Sequence, residues 1–379
     1  MIPAADHLAH LIRIPSVSSS SNRPIIDYAR HALHHSGWTT HETSYRDSSG
    51  VDKLNLIAAP PQQDPTRQHI DLALVCHTDT VPYAPDWSSA LTPTITADHL
   101  HGCGACDVKG FLACLLQAAA TPPHATQPTH WLDGLRIVLT ADEEIGCLGA
   151  KHLIDHHVIQ PRRMVIGEPT SLRVARAGKG YCLTEVVIHG VEAHSAHPEQ
   201  GASAIFAASH FIRSIETLAH QLQAHTHNLF TPPYTSLNVG TIHGGAAKNI
   251  IPGQCRFLVE WRPIPALPPN LIPGQLQAFA DQLHHRDPRL TCSIQHLRQQ
   301  SGFETPASAP LVQSLLQASA RPATAIPFGS EASIFAAIAE QVVVFGPGDM
   351  RTAHSDRECV PLAELSEAVH ILTSLMTQS

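Results

Sequence analysis

The sequence predicts an α/β protein: a mixed, largely parallel sheet with helices on both faces, plus an inserted βαββαβ domain of ferredoxin-like type. Three observations predict it. Short apolar runs alternate with helical segments on both flanks of the chain. The pattern changes after Gly180 to β-α-β-β-α-β and changes back after Gln300. The 379 residues are 43% hydrophobic, enough at about 150 residues per domain for two buried cores.

In chain order, Leu8, Leu11 and Ile12 mark a short helix that Pro15 and the serines after it stop. Asp71 to Cys76 is a continuous apolar run, as expected of a buried strand. Val108 to Ala120 is a helix with Phe111, Leu112, Leu115 and Leu116 on one face. Leu135 to Thr140 is a second strand, followed by a helix through about Ile154, and Met164 to Gly167 is a third strand. Tyr181 to His189 alternates like a half-buried strand. Gln200 to about Ala224 is helical, with Ile205, Phe206, Ile212 and Ile215 recurring. Thr235 to Ile242 and Gln254 to Arg262 are strands around a glycine-rich turn. Leu271 to about His285 is a helix, and Leu290 to Leu297 a strand. Prolines at 263, 265, 268, 269 and 273 mark one long loop within the inserted domain. A helix near Leu311 to Ala318, the strand Gln341 to Phe345 and a last helix from about Leu362 complete the larger domain. Residues 1–179 and 298–379 thus form that domain, and 180–297 the inserted one.

Composition removes several classes of function. A net charge of −8 argues against nucleic acid or an acidic membrane as partner. No apolar run reaches the roughly 18 residues of a membrane span, and Met1 to His7 does not read as a secretory signal. Nine cysteines at irregular spacing read as a reduced, cytoplasmic protein. Most of the 28 histidines must be solvated. Cys103 and Cys106 have C-x-x-C spacing, but no second pair completes a structural zinc site. No phosphate loop and no Gly-x-Ser-x-Gly elbow is present.

The chemistry lies at the ends of the strands. Cys76-His77-Thr78-Asp79 comes directly after the first, Asp142-Glu143-Glu144 after the second, Glu168-Pro169-Thr170 after the third, and Ala353-His354 lies just beyond the fourth. Open parallel sheets bind ligands outside the carboxyl ends of their strands, so these groups can converge on one crevice. Asp107, in a glycine-bearing stretch at a helix start, joins them. Two imidazoles and several carboxylates suit zinc or a related cation, and with Asp107 bridging they are enough for two ions. Taken singly, His77 reads as a structural histidine, Asp107 as a helix cap and Glu143-Glu144 as a solvated first turn. Their joint placement points to a site.

With these residues, the chain resembles the dinuclear-zinc amidohydrolase and exopeptidase superfamily that includes acetylornithine deacetylase and succinyl-diaminopimelate desuccinylase. The resemblance spans nearly the full length. It rests on His77-Thr78-Asp79-Thr80-Val81-Pro82, Asp107-Val108-Lys109-Gly110, Asp142-Glu143-Glu144, Gly167-Glu168-Pro169-Thr170 and Ala353-His354. It implies that His77 and Glu168 bind one zinc, Glu144 and His354 the other, and that Asp107 bridges them, with cobalt as a possible substitute. It implies that Asp79 orients His77, and that Glu143 is the general base. The inserted domain would be a lid through which a homodimer forms, with His194 stabilising the oxyanion across the dimer. Asn249 and Arg262 match segments that bind the substrate's α-carboxylate, and Gly329, Ser330 and Glu331 would line the same pocket. Alternation from Gln254 to Arg262 also leaves Arg262 on the polar face of its strand, where a guanidinium can capture a carboxylate.

Glu168, rather than an aspartate, resembles the deacylase and carboxypeptidase branch. Phe345-Gly346-Pro347-Gly348 and Ser330-Glu331-Ala332 resemble the acetylornithine deacetylases, which implies hydrolysis of N2-acetyl-L-ornithine, a step of arginine biosynthesis, with Glu331 meeting the side-chain amine. Cys103 and Ala105 depart from common family patterns without touching the ligand set. An N-acetylcitrulline deacetylase would look nearly the same. A desuccinylase, a carboxypeptidase, an aminoacylase and an inactive scaffold with a binding role are the remaining alternatives.

Overall fold

The computed structural model describes residues 1–121 and 131–377, and the chain divides into two units. The first holds Met1–Ala177, Glu304–Ile326 and Ser330–Ser379, the second Gly178–Phe303 and Pro327–Gly329. The second unit therefore begins and ends slightly outside the expected 180–297. The reason is local: the strand Thr291–Gln300 runs on past Leu297, and Gln300 still pairs with Tyr181 of the neighbouring strand.

The first unit is built on a nine-stranded sheet. Its order is Thr39–Arg46, Asp52–Ala59, Leu135–Thr140, His69–His77, Gln160–Gly167, Gln341–Phe345, Ala175–Gly178 and Phe303–Glu304, with Thr324–Ile326 added beside Ala175–Gly178. The four central strands from Leu135–Thr140 to Gln341–Phe345 pair in parallel. The hairpin Thr39–Arg46/Asp52–Ala59 and the strand Ala175–Gly178 flank them antiparallel. The sheet is thus mixed. Its parallel strands are the continuous apolar ones, as strands covered on both faces must be. Leu72, Leu74 and Cys76 point into one core with the helices Ala4–Arg13, Arg23–His35, Lys109–Ala119, Pro310–Ser319 and Leu362–Thr377. Ala73 and Val75 are buried on the opposite side, as alternation requires.

The second unit is a four-stranded antiparallel sheet in the order Ser236–Gly244, Gln254–Arg262, Tyr181–His189, Thr291–Gln300, with helices Ala204–Leu222 and Leu271–Arg286. Cys255, Phe257, Val259 and Trp261 are buried, as their alternation implies. Two expectations change. In Ala204–Leu222 the buried stripe is Ala204, Ala207, Ala208, Phe211 and Ile215, and Phe206 is 73% exposed. Ile205 and Ile212 instead flank a groove beside the open edge strand Ser236–Gly244. Pro273 does not sit in the loop but in the first turn of Leu271–Arg286. An amide N–H there has no intrahelical partner to lose.

Candidate metal centre

His77 is the last residue of its strand and pairs in register with Thr140, the last of the next. Thr78 donates to the Thr140 carbonyl through both its N–H (2.9 Å) and its hydroxyl (2.7 Å), which fixes how the chain leaves the sheet. Asp142 follows with φ +58°, a left-handed turn that a non-glycine residue seldom adopts and that sends Glu143 and Glu144 back toward His77. Asp107 precedes the helix Lys109–Ala119. Val108 is the cap residue, so the Asp107 carboxylate is not used for capping. Glu168 follows Gly167 at the end of the third strand. His354 also has positive φ, +57°, in the turn after Gly346-Pro347-Gly348.

These side chains meet. His77 Nε2 lies 3.1 Å from Asp107 Oδ1, and His354 Nε2 lies 3.1 Å from Asp107 Oδ2 and 3.2 Å from Glu144 Oε1. Ligand atoms of His77, Asp107 and Glu168 lie within 4.8 Å of one another, and so do those of Asp107, Glu144 and His354. Asp107 belongs to both sets and turns one oxygen to each imidazole. That donor set, two nitrogens and three carboxylates in two triplets with one shared member, fits a pair of divalent cations. His77 Nδ1, facing away, contacts the Asp79 carbonyl at 3.1 Å and the Asp79 carboxylate at 3.6 Å. Asp79 also accepts the backbone N–H of Glu143 (3.0 Å) and Glu144 (3.2 Å), so it orients the histidine and the carboxylate pair together.

Electrostatics agree with a cation site. Burial pushes Glu168 well above the usual carboxylate range, lifts Glu144, and raises Glu143 to about 8. Burial also opposes charge on Asp107, but hydrogen bonds from His354 and His77 hold it below that range. Hydrogen bonds to Asp107 and Glu144 lift His354 to about 10. Crowded carboxylates need compensating positive charge. Protons on the imidazoles provide it here, and divalent cations would displace them. Cys103 is raised to about 11 and Cys106 well above its usual value by burial, so neither is a ready thiolate.

Glu331 is fully buried. Its Oε2 accepts from Thr140 Oγ1 (2.9 Å), its Oε1 has no hydrogen-bond partner among the described residues, and burial raises it to about 7. Ser330 is buried one residue before it. The remaining named residues belong to the second unit. His194 is exposed in the short strand Ala193–His194, paired with Ile250–Ile251. Its Nδ1 accepts the Ala196 N–H at 3.1 Å, which leaves Nε2 as the N–H donor. Asn249 holds the same ribbon, its carbonyl accepting the Ser195 N–H at 3.0 Å. Arg262 lies 3.8 Å over the Tyr181 ring and bonds Glu260 at 2.8 Å, and Arg298 covers Tyr181 at 4.5 Å. Gly329 is close by, its nearest side chains including Arg298, Gln300 and Tyr181.

Several supporting residues are not apparent from sequence. Ser18 donates to Asp79 Oδ2 at 2.6 Å. Glu358, 3% exposed, accepts the backbone N–H groups of Gly104 (2.9 Å), Cys106 (3.1 Å) and Asp107 (3.0 Å), tying down the loop that presents Asp107. Arg298 reaches Tyr181 because a bulge between His296 and Arg298 turns it onto that face. Nothing in the local sequence marks Glu358.

The pattern of peptidase family M20/M25/M40 matches residues 73–378. The acetylornithine deacetylase of Myxococcus xanthus is 42% identical over 366 residues, covering 96% of this chain and 94% of that protein. That of Pectobacterium carotovorum subsp. carotovorum is 32% identical, covering 95% of each. Among solved structures, a dinuclear metal-binding M20 peptidase of Bacillus subtilis superposes with a TM-score of 0.71 at 14% identity, over 99% of this chain and 96% of that one.

Proposed function

The chain belongs to peptidase family M20/M25/M40, and from that premise we propose that it hydrolyses the acyl-amide bond of N2-acetyl-L-ornithine to give L-ornithine and acetate. The observation that carries the reading is the shared Asp107: two donor triplets meet on one carboxylate, with the buried Glu143 beside them outside both. The acetylornithine deacetylases among its relatives support the substrate.

His77 with Glu168 would hold one cation and Glu144 with His354 the other, Asp107 touching both. Bound zinc, or cobalt in its place, supplies Lewis acidity toward the amide carbonyl and makes water more acidic. Glu143 takes a proton from the attacking water as the C–O bond forms. It returns a proton to the amine as the C–N bond breaks. Burial raises Glu143 to about 8 in the absence of cations, and the positive charge of bound cations would lower it, leaving the carboxylate ionised to accept that proton near neutral pH. Asp79 keeps His77 in the tautomer that offers Nε2.

His194 would donate its Nε2–H to the oxyanion of the other subunit's site, in a homodimer formed through residues 180–297. The open edge of Ser236–Gly244, with Ile242 51% exposed beside the groove, supports that assembly. Asn249 and Arg262 would receive the α-carboxylate, and Gly329 and Ser330 would line the same pocket. The unpartnered Glu331 Oε1 supports a cationic side chain as the group it meets. Nine cysteines at irregular spacing accord with a reducing cytoplasm, where the product would enter arginine biosynthesis.

The test is a panel of N-acetylornithine, N-acetylcitrulline, N-acetylmethionine and N-succinyl-diaminopimelate, assayed with metal-loaded enzyme. The highest kcat/KM is expected for N-acetylornithine. A preference for any other member overturns the substrate assignment, and no hydrolysis of any member overturns the enzyme reading.

A further inference from the structure

Lys53 is a buried cation that the mechanism above does not use. Its side chain is 1% exposed, and it lies in the strand Asp52–Ala59, beside the carboxyl end of Leu135–Thr140. Its Nζ donates to Asp142 Oδ1 at 2.7 Å, to the Ser20 carbonyl at 3.0 Å and to the Ser18 carbonyl. Asp142 Oδ2 is taken by the hydroxyl of Tyr45, which pairs with Lys53 across the hairpin, at 2.8 Å. Two residues along the same strand, Asn55 accepts the Ala141 N–H and donates to the Gly149 carbonyl, each at 3.1 Å. One strand thus grips the loop from Ala141 to Gly149 at both ends and, through Lys53, at Asp142.

Asp142 is the residue with φ +58°, immediately before Glu143. The Glu143 carboxylate is approached by the Cys147 thiol at 3.6 Å, a weak donor, so its place is set by its backbone. The backbone is held from two sides: Asp142 by Lys53, and the N–H of Glu143 by Asp79. Asp79 in turn is held by Ser18, whose carbonyl Lys53 also engages. Both supports converge on one ammonium. A buried ion pair is weak evidence for stability, because desolvation offsets much of the attraction. Its location ties it to geometry instead.

We propose that Lys53 is a positioning residue for Glu143, fixing through Asp142 and the Ser18 to Ser20 backbone where the base stands. The proposal rests on Glu143 being the base. A displacement of about 1 Å at a reacting group can lower turnover about 100-fold.

The test compares Lys53→Met with the double variant Lys53→Met/Asp142→Asn, as metal-loaded enzyme on the N-acetyl amino acid that the wild type turns over fastest. The single variant strands a buried carboxylate and should lower both Tm and kcat. The double variant removes that charge, so Tm should recover while kcat stays about 100-fold down. KM should remain within twofold and metal content equal to wild type. Amide exchange at Glu143 and Glu144 in metal-free protein should be faster than in the wild type. Rates are taken per metal-loaded chain, well below each variant's Tm, so instability cannot mimic the result. A double variant with kcat within twofold of wild type overturns the proposal, and so does one that loses metal. A fully active Glu143→Gln enzyme instead refutes the reading of the base on which the proposal rests.

Discussion

Replacing Ser18 by alanine removes one short hydrogen bond in the support of the metal centre, together with a longer contact of the same hydroxyl to the Thr80 carbonyl at 3.3 Å. The Ser18 hydroxyl donates to Asp79 Oδ2 at 2.6 Å, and both residues are 3% exposed, so water cannot take its place. A hydrogen bond to a charged group contributes about 1.5–3 kcal/mol. Asp79 keeps its other donors, the N–H groups of Glu143 and Glu144. The carboxylate therefore loses one bond, and its charge is not abandoned. For a unit of this size, each kcal/mol lowers Tm by about 2–4 °C, so a drop of about 3–12 °C is expected. Partners in the outer shell of a metal site typically cost 10–100-fold in metal affinity. Ser18 acts one bond further out, through Asp79 and His77, so about 10-fold is expected. Calorimetry gives the first number and competition with a chromophoric chelator the second. The exposed Ser20→Ala is the control and should change neither. A Ser18→Ala protein with wild-type Tm and wild-type metal affinity would refute the chain of support from Ser18 through Asp79 to His77.

Glu143→Gln should lower kcat by about 10² to 10⁴-fold with metal content unchanged, checked by steady-state kinetics and elemental analysis. Loss of metal would instead make Glu143 a ligand. Chelation should abolish hydrolysis, and zinc or cobalt should restore it; full activity in verified metal-free protein contradicts the dinuclear reading. Burial holds the His7 imidazole below its ordinary value, so it is neutral in the fold while the unfolded chain takes up a proton below about pH 6.5. Its stabilising contribution is thus complete above that pH and lost as pH falls through the folded value. His7→Phe should flatten the decline of Tm between about pH 7 and pH 5, and an unchanged slope counts against it. Mixing His194→Ala with Glu143→Ala subunits should restore roughly a quarter of wild-type activity, since about half the dimers are mixed and each carries one complete site. Confirmed subunit exchange without activity rules out a role for His194 in the other subunit.

The sequence is readable where the local pattern carries the information. His77, Glu143, Glu144 and Glu168 follow apolar runs, and the common direction of parallel strands puts their carboxyl ends at one edge of the sheet. The inserted unit is readable because alternation at Tyr181–His189 and Gln254–Arg262 differs from the apolar runs on either side. The hairpin Thr39–Arg46/Asp52–Ala59 escapes because its outer strand, Thr-Thr-His-Glu-Thr-Ser-Tyr-Arg, offers no apolar alternation. Lys53, Asn55 and Glu358 escape for another reason. Each is a polar residue of a kind usually found at the surface, and its significance lies in hydrogen bonds to residues 89, 86 and about 250 positions away. For Ala204–Leu222 the periodicity locates the helix but not its buried face. In its first turns the small Ala204, Ala207 and Ala208 face inward, and the larger Ile205 and Phe206 beside them attract a periodicity count.

The way the second unit leaves and rejoins the first sets an order on folding. Ala175–Gly178 lies beside Phe303–Glu304, and the Thr305 N–H reaches the Arg176 carbonyl at 2.7 Å, with the whole second unit between them. Closing an unstructured loop on the order of a hundred residues costs about 4 kcal/mol of chain entropy. Within the second unit, however, Tyr181 pairs with Gln300, so its own folding brings its two ends together. Once it has folded, the first unit has only a short gap to close. The insertion is a staple that forms itself. The strand Gln341–Phe345, which leads to His354, must also find Gln160–Gly167 across that same gap. His354, one of the five ligands, therefore gains its place more readily once a unit that supplies none of them has folded.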